Sequence, residues 1–253
     1  MLRVGSAGAK ISVCMATRNG EQYLGEQLAS ILSQLGAEDE VIISDDSSTD
    51  RTVEIVRAVA DRRIRLLADN RFFSPVGNFE NALRHASGEI IVLSDQDDVW
   101  LDNKIGLIRE QFRQARPAVH LVVLDGCAID EAGRILEQSL FRRINAGPGL
   151  LKNIYDNTYM GCCMAFSRPL LDLALPFPRR LPMHDMWLGL LAELFGSVEF
   201  VPEQTIRYRK HAASLTGFSR RWLPWLQIRR RLALSWALGV RCLRYRRQWG
   251  TPR

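Results

Sequence analysis

The sequence predicts an α/β fold: one domain on a mostly parallel central sheet, followed by a basic helical tail. Three observations carry that expectation. Short apolar runs alternate with helically spaced apolar residues through positions 11–112, the pattern of a parallel sheet covered by helices on both faces. Acidic residues gather just after the apolar runs, where such sheets hold their ligands. The net charge of +6 is also divided: 13 Lys or Arg and no Asp or Glu follow Glu203, leaving −7 on residues 1–203.

The elements follow in order. Ile11–Ala16 is a short apolar strand ended by the turn-prone Thr17-Arg18-Asn19-Gly20. Tyr23, Leu24, Leu28, Ile31, Leu32 and Leu35 recur at helical spacing until Gly36 stops that helix. Val41–Ile43 is a second buried strand, and Val53, Val56 and Val59 mark the next helix face, with Ile55 beside them. Ile64–Leu67 is a third strand; Phe79, Ala82, Leu83 and Ala86 mark a helix closed by Gly88. Ile90–Leu93 is a fourth strand, and Ile105, Ile108 and Phe112 give the helix Leu101–Phe112. Gly161-Cys162-Cys163 reads as a tight strand of small core residues, and Met186–Phe195 as a helix.

Composition narrows the class. The chain has 253 residues with 47% hydrophobic and 25% charged, ordinary globular proportions that exclude disorder, collagen-like repeats and a polytopic membrane protein. Five cysteines (Cys14, Cys127, Cys162, Cys163, Cys242) with no CxxC pair argue against a disulfide scaffold or zinc ribbon and for a reducing compartment. The opening MLRVGSAGAK has no apolar core of a secretory signal, and no apolar run approaches the ~20 residues of a membrane span, so a cytoplasmic protein is expected.

The strand ends carry the chemistry. The second is followed by Asp45-Asp46-Ser47-Ser48 and the fourth by Asp95-Gln96-Asp97-Asp98, which puts five carboxylates on one rim. Carboxylates so crowded repel one another unless a cation sits among them. Hard oxygen donors suit Mg²⁺ or Mn²⁺, ions that usually accompany phosphates. Asp and Ser after strands also serve as turn residues and helix caps, a reading that fits Ser47 and Asp50 equally well. Three carboxylates at 95, 97 and 98 exceed what one cap needs, although Asp98 itself reads as the cap of the following helix.

The order of Ile11–Asn19, Asp45–Asp50, Asn70…Gly77-Asn78…Gly88-Glu89-Ile90 and Asp95-Gln96-Asp97-Asp98-Val99-Trp100 resembles a family 2 glycosyltransferase, and the last segment resembles its rhamnosyltransferase-like subset. The likeness spans roughly residues 10–217; Ala16 departs from it, since the family commonly has proline before the threonine. It implies a nucleotide-diphospho-sugar transferase (GT-A type) fold and an inverting, metal-dependent transfer from a UDP- or TDP-sugar to a saccharide or lipid-linked acceptor. The implied division is an extension at 1–9, a donor-nucleotide half at 10–100, an acceptor half at 101–217 and a basic amphipathic tail at 218–253.

Residue roles come with the resemblance. Asp46, with Asp45 beside it, would hold the nucleobase, a carboxylate being suited to the imide N–H of uracil or thymine. Thr17, Asn19 and Asn78 would lie on the donor nucleotide, and Asp95 near the ribose. Asp97, second acid of the DxD element, would bind Mn²⁺ or Mg²⁺ together with His211. Asp185, in His184-Asp185-Met186-Trp187, would be the general base, or the N-cap of its helix, kept ionised by the helix terminus. Arg207 and Arg209 read as surface or phosphate-steering charges.

The tail holds four tryptophans (Trp222, Trp225, Trp236, Trp249) among ten arginines, and its apolar stretch Leu232–Val240 is too short to span a bilayer. Arginine for anionic headgroups and tryptophan for the interface suggest a helix lying on the inner face of the cell membrane; packing on the body or a homodimer contact is the alternative. Two other functions compete with sugar transfer. A nucleotidyltransferase would show a glycine-rich phosphate loop after the first strand, which Thr17-Arg18-Asn19-Gly20 lacks. A nucleic-acid-binding module is disfavoured by the acidic body.

Overall fold

The computed structural model describes residues 8–114, 117–179, 181–211 and 224–249, with side chains of the last segment described over 231–244. The N-terminal half alternates as expected: β1 (Ile11–Thr17), α1 (Leu24–Leu32), β2 (Glu40–Asp45), α2 (Thr52–Val59), β3 (Ile64–Leu67), α3 (Pro75–His85) and β4 (Ile90–Ser94). Then come β5 (Val99–Trp100), α4 (Lys104–Arg113), β6 (His120–Ile129), β7 (Ile135–Glu137), α5 (Leu140–Ile144) and α6 (Leu150–Tyr155). A 3-10 turn at Gly161–Cys163 leads into β8 (Met164–Ser167), α7 (Arg168–Ala174), α8 (His184–Phe195), β9 (Ser197–Arg209) and α9 (Pro224–Trp249).

The sheet runs β3-β2-β1-β4-β8-β6-β9-β5, with β7 hydrogen-bonded to β6 off that path. Burial explains the order. Every β1 and β4 side chain is buried except Ala16, as fits strands at the centre with both faces covered, whereas the half-buried β3 forms an edge. The first four strands are parallel, but β8 is antiparallel to both β4 and β6, and β5 is antiparallel to β9. The sheet is therefore mixed, and the mostly parallel reading holds for its N-terminal half. The reversal occurs where helix–strand alternation lapses after α4.

Three local expectations change. Gly161-Cys162-Cys163 is a turn rather than a strand, although both cysteines are buried among core residues as expected. The fourth helix starts at Lys104, not Leu101, and α8 starts at His184. The C-terminal helix packs on the body: Leu234 and Leu238 are buried, each burial contributing ~1.5–3 kcal/mol. Of the tail residues singled out above, Trp222 and the Trp225 and Trp249 side chains lie outside the described residues, as do positions 1–7 of the N-terminal extension.

The pairing of β5 with β9 matters most for function. Val99 lies opposite Arg207 and Trp100 opposite Ile206, so the acidic run before β5 meets the basic end of β9.

Candidate active site

The turn after β1, the end of β2 and the start of α3 form one interlocked rim. Thr17 is 1% exposed; its hydroxyl donates to Asp45 Oδ2 at 2.9 Å and its carbonyl accepts from Asn78 Nδ2 at 3.1 Å. Asp45 also accepts from the Ser48 N–H and hydroxyl at 2.9 and 2.5 Å. Asn19 takes φ +49°, a left-handed conformation that asparagine tolerates, and its Oδ1 accepts from the Thr49 N–H at 2.8 Å. Asp46 accepts three backbone N–H groups, from Phe72, Phe73 and Ser74, at 2.6, 3.1 and 3.1 Å. A carboxylate has about four acceptor positions, so Asp46 mainly shapes the 72–74 loop and keeps about one for a nucleobase. That loop presents Phe73, 66% exposed, under the Arg18 guanidinium at 5.3 Å.

Gln96, the middle residue of the DxD element, ties this rim to the next. Its Oε1 accepts from Arg18 N at 2.9 Å and its Nε2 donates to Arg18 O at 3.0 Å. Gly20 leaves room for the Gln96 amide, which a Cβ there would displace. Behind the DxD run, the buried Gln27 of α1 donates to Ser94 Oγ and Asp95 O at 2.9 and 3.0 Å.

On the second rim the carboxylates are crowded. Asp97 Oδ2 lies 2.7 Å from His211 Nε2, across 114 residues of sequence, as the β5–β9 pairing dictates. Asp95 is pushed up to about 7, first by burial, then by the charges of Asp97 and Asp185. Asp98 is wholly buried and raised well above the carboxylate range, by burial and then by Asp97 and Asp95. Asp98 does not cap α4, whose cap position is Asn103; it accepts from Arg209 N at 3.0 Å and so pins the end of β9. Its Oδ2 has no hydrogen-bond partner.

Two groups of donors arise. Asp95, Asp98 and the Cys162 thiol have ligand atoms within 4.8 Å of one another. The Cys162 thiol is held protonated, first by a hydrogen bond with Cys163 and then by burial, so this group does not suit a hard cation. Asp97 and His211, both partly exposed, offer an oxygen and a nitrogen donor already at contact distance and fit Mn²⁺ or Mg²⁺.

Asp185 stands in the first turn of α8, after a cap position occupied by Met183. It accepts from its neighbour Met186 N at 2.5 Å and from Asn157 Nδ2 at 3.4 Å. Burial nonetheless raises it to about 6, against the expectation that the helix terminus would lower it; desolvation outweighs the N–H bonds. It is thus mostly ionised at neutral pH yet close to the range of an effective base. His184 beside it is stacked on Phe79 at 4.1 Å, has both ring nitrogens unpartnered, and is kept neutral by burial, with its pKa lowered to about 3. Its Nε2 would lie 3.1 Å from a Cβ at Gly161, a tight contact that the glycine avoids.

Sequence reasoning overlooked Lys104 and misread Arg209. Lys104 is fully buried, donates to Cys162 O at 2.7 Å and lies 4.4 Å from the Trp100 ring; burial lowers its pKa, and the charges of Asp98 and Asp95 oppose that shift. The signal was present: Lys104 stands four residues before Ile108 and eight before Phe112, on the apolar stripe of α4. Arg209 is not a surface charge; 5% exposed, it pairs with Glu26 at 2.7 Å and covers Tyr23 at 4.8 Å, while Arg207 is exposed as expected.

Comparison with known proteins bears on this geometry. The profile of glycosyl transferase family 2 matches residues 12–173. An Escherichia coli UDP-Glc:alpha-D-GlcNAc-diphosphoundecaprenol beta-1,3-glucosyltransferase, WfgD, is 35% identical over 95 residues, 38% of either chain. The Shigella flexneri dTDP-rhamnosyl transferase RfbG is 38% identical over 98 residues, 36% of this chain and 34% of that protein. These matches span under two fifths of those relatives' length. Among solved structures, S. aureus TarS 1-349 with UDP-GlcNAc has a TM-score of 0.66 at 23% identity, covering 81% of this chain and 60% of that one. The mannosyltransferase PcManGT from Pyrobaculum calidifontis, solved with GDP-Man and Mn2+, has a TM-score of 0.61 at 22% identity, covering 93% and 65%.

Proposed function

The chain belongs to glycosyl transferase family 2, and on that premise we propose that it transfers a sugar, with inversion, from a UDP- or TDP-sugar to a hydroxyl of a growing polysaccharide or lipid-linked saccharide. The observation that carries this reading is the meeting of Asp97 and His211 at 2.7 Å, on a rim whose charge also reaches Asp185. Asp97 and His211 would hold Mn²⁺ or Mg²⁺, and a bound ion supplies neutralisation of charge on a departing diphosphate. Thr17, Asn19, Asp45 and Asn78 fix the turns on which the nucleoside would rest, Asp46 sets the 72–74 loop beside the base, and Asp95 lies toward the ribose. Asp185 takes the proton from the attacking acceptor hydroxyl. Its raised pKa keeps the carboxylate basic, and Asn157 orients it.

TDP-rhamnose is one donor within this proposal, supported by the likeness to RfbG, as UDP-glucose is by the likeness to WfgD. A lipid-linked acceptor would place the protein in the cytoplasm, on the inner face of the cell membrane, where the basic α9 would meet anionic headgroups. The test is nucleoside diphosphate release from each donor with Mn²⁺ and a prenyl-diphosphate-linked saccharide. Release that requires the acceptor, with an inverted anomeric configuration in the product, is expected. A retained configuration, or no acceptor-dependent release from either nucleotide class, contradicts the proposal.

A further inference from the structure

α9 is 26 residues long, about 39 Å at 1.5 Å per residue, and contains seven arginines and no acidic residue. No helix among the described residues is long and apolar enough to cross a membrane. Two sides of α9 differ sharply. One is clamped to the body: Leu234 and Leu238 are buried, and Arg241 donates to the carbonyls of Leu173, Leu175 and Pro176, at the end of α7, at 2.5, 2.8 and 2.6 Å. The other exposes Leu232, Trp236 and Leu243 at 65%, 74% and 62%. At 100° per residue these three lie within about 40° of one another around the helix, a single apolar stripe.

This stripe has a neighbour. Leu151 and Tyr155, one turn apart on α6, are 80% and 69% exposed. Arg231 joins the two helices, donating to Tyr155 O at 2.5 Å with its guanidinium 4.5 Å from the Tyr155 ring. Half of the exposed large apolar side chains among the described residues thus stand on α6 and α9.

We propose that α6 and α9 together form a two-part footing on an anionic lipid bilayer, with Leu151, Tyr155, Leu232, Trp236 and Leu243 entering the interface and arginines of α9 meeting the headgroups. The inference rests on the lipid-linked acceptor proposed above and adds a second helix and a fixed orientation to it. Apolar side chains flanked by arginine match a bilayer surface, which offers hydrocarbon beneath anionic groups. A second copy of the chain matches poorly, because a twofold contact would set one acid-free, arginine-rich helix against its equal. Since α6 packs directly on α8, the footing is tied to the helix that carries Asp185.

Flotation of the full-length protein with phosphatidylcholine vesicles, with and without phosphatidylglycerol, tests it. Wild type should float with anionic vesicles and lose most of that binding as salt shortens the ~8 Å Debye length. Leu232→Ser/Trp236→Ser should reduce bound protein about tenfold and Leu151→Ser/Tyr155→Ser about threefold, as expected for losing buried apolar area. All four positions are exposed, so melting temperature and the Mn²⁺-dependent affinity for UDP or TDP should remain at the wild-type level. Wild-type flotation of the α6 variant overturns the two-part footing, and equal binding to neutral vesicles overturns the headgroup contact. A dimer that dissociates in the α9 variant assigns the face to a second copy instead. Flotation that follows the prediction while neither donor is turned over would defeat the sugar-transfer reading and leave the footing standing.

Discussion

The two rims of the site handle carboxylates in opposite ways. On the first, Asp45 and Asp46 are buried, yet six backbone and hydroxyl hydrogens meet their oxygens. On the second, the half-buried Asp95 and the buried Asp98 are pushed up by desolvation and by neighbouring carboxylates, and Asp185 is pushed up by burial despite the N–H groups it accepts. Hydrogen-bonded carboxylates hold backbone in place, whereas crowded ones are left wanting a cation or a proton. The first rim is therefore a fixed backbone scaffold, and the second a place where charge can change.

Substitutions should separate the rims. The largest effect is expected at Asp185: Asp185→Asn should keep donor affinity while kcat falls about 10²–10⁴-fold, measured by acceptor-dependent diphosphate release. In the wild type the same rate should rise with pH through about 6 and then level, as Asp185 loses its proton. Asp97→Ala comes next and should weaken Mn²⁺-dependent donor binding about 10–100-fold by calorimetry, with the fold retained.

Stability should move in opposite directions. Asp46→Ala strands three N–H groups of the 72–74 loop and should cost about 1–3 kcal/mol in denaturant unfolding. Asp185→Asn should stabilise. The wild-type carboxyl rises from 3.8 unfolded to about 6 folded, so its contribution is fully present below pH 3.8 and is lost as pH climbs through 6. The variant escapes that loss and should be up to about 3 kcal/mol more stable at pH 8, with no advantage at pH 3. A variant that melts no higher at pH 8 would show the second rim to be less strained than its geometry implies.

The rims were also unequally legible in the sequence. The strands ending at Thr17, Asp45 and Ser94 are continuous apolar runs, so periodicity alone located the first rim and the DxD run. That Asp46 faces the 72–74 loop depends on three backbone N–H groups, which no side-chain pattern encodes. The second rim needs β5 to pair with β9 more than 100 residues away, and a two-residue strand has no periodicity to read. His211 was reached through family resemblance, and Asp98 was misread because a carboxylate ahead of a helix is a cap far more often than a pin for a distant strand. Lys104 was hidden for a different reason: a lysine on an apolar stripe is usually taken to reach for water.

A thermal melt against Mn²⁺ probes the contrast between the rims most directly. If the second rim is crowded carboxylates awaiting a cation, millimolar Mn²⁺ should raise the melting temperature of the wild type by several degrees at pH 8. The rise should shrink at pH 4, where the protonated Asp95 no longer adds negative charge beside Asp97, and should vanish in Asp97→Ala, while Asp46→Ala should keep it from its lower starting point. No rise at pH 8, or an equal rise in Asp97→Ala, would contradict the assignment of Asp97 and the second rim as the cation site.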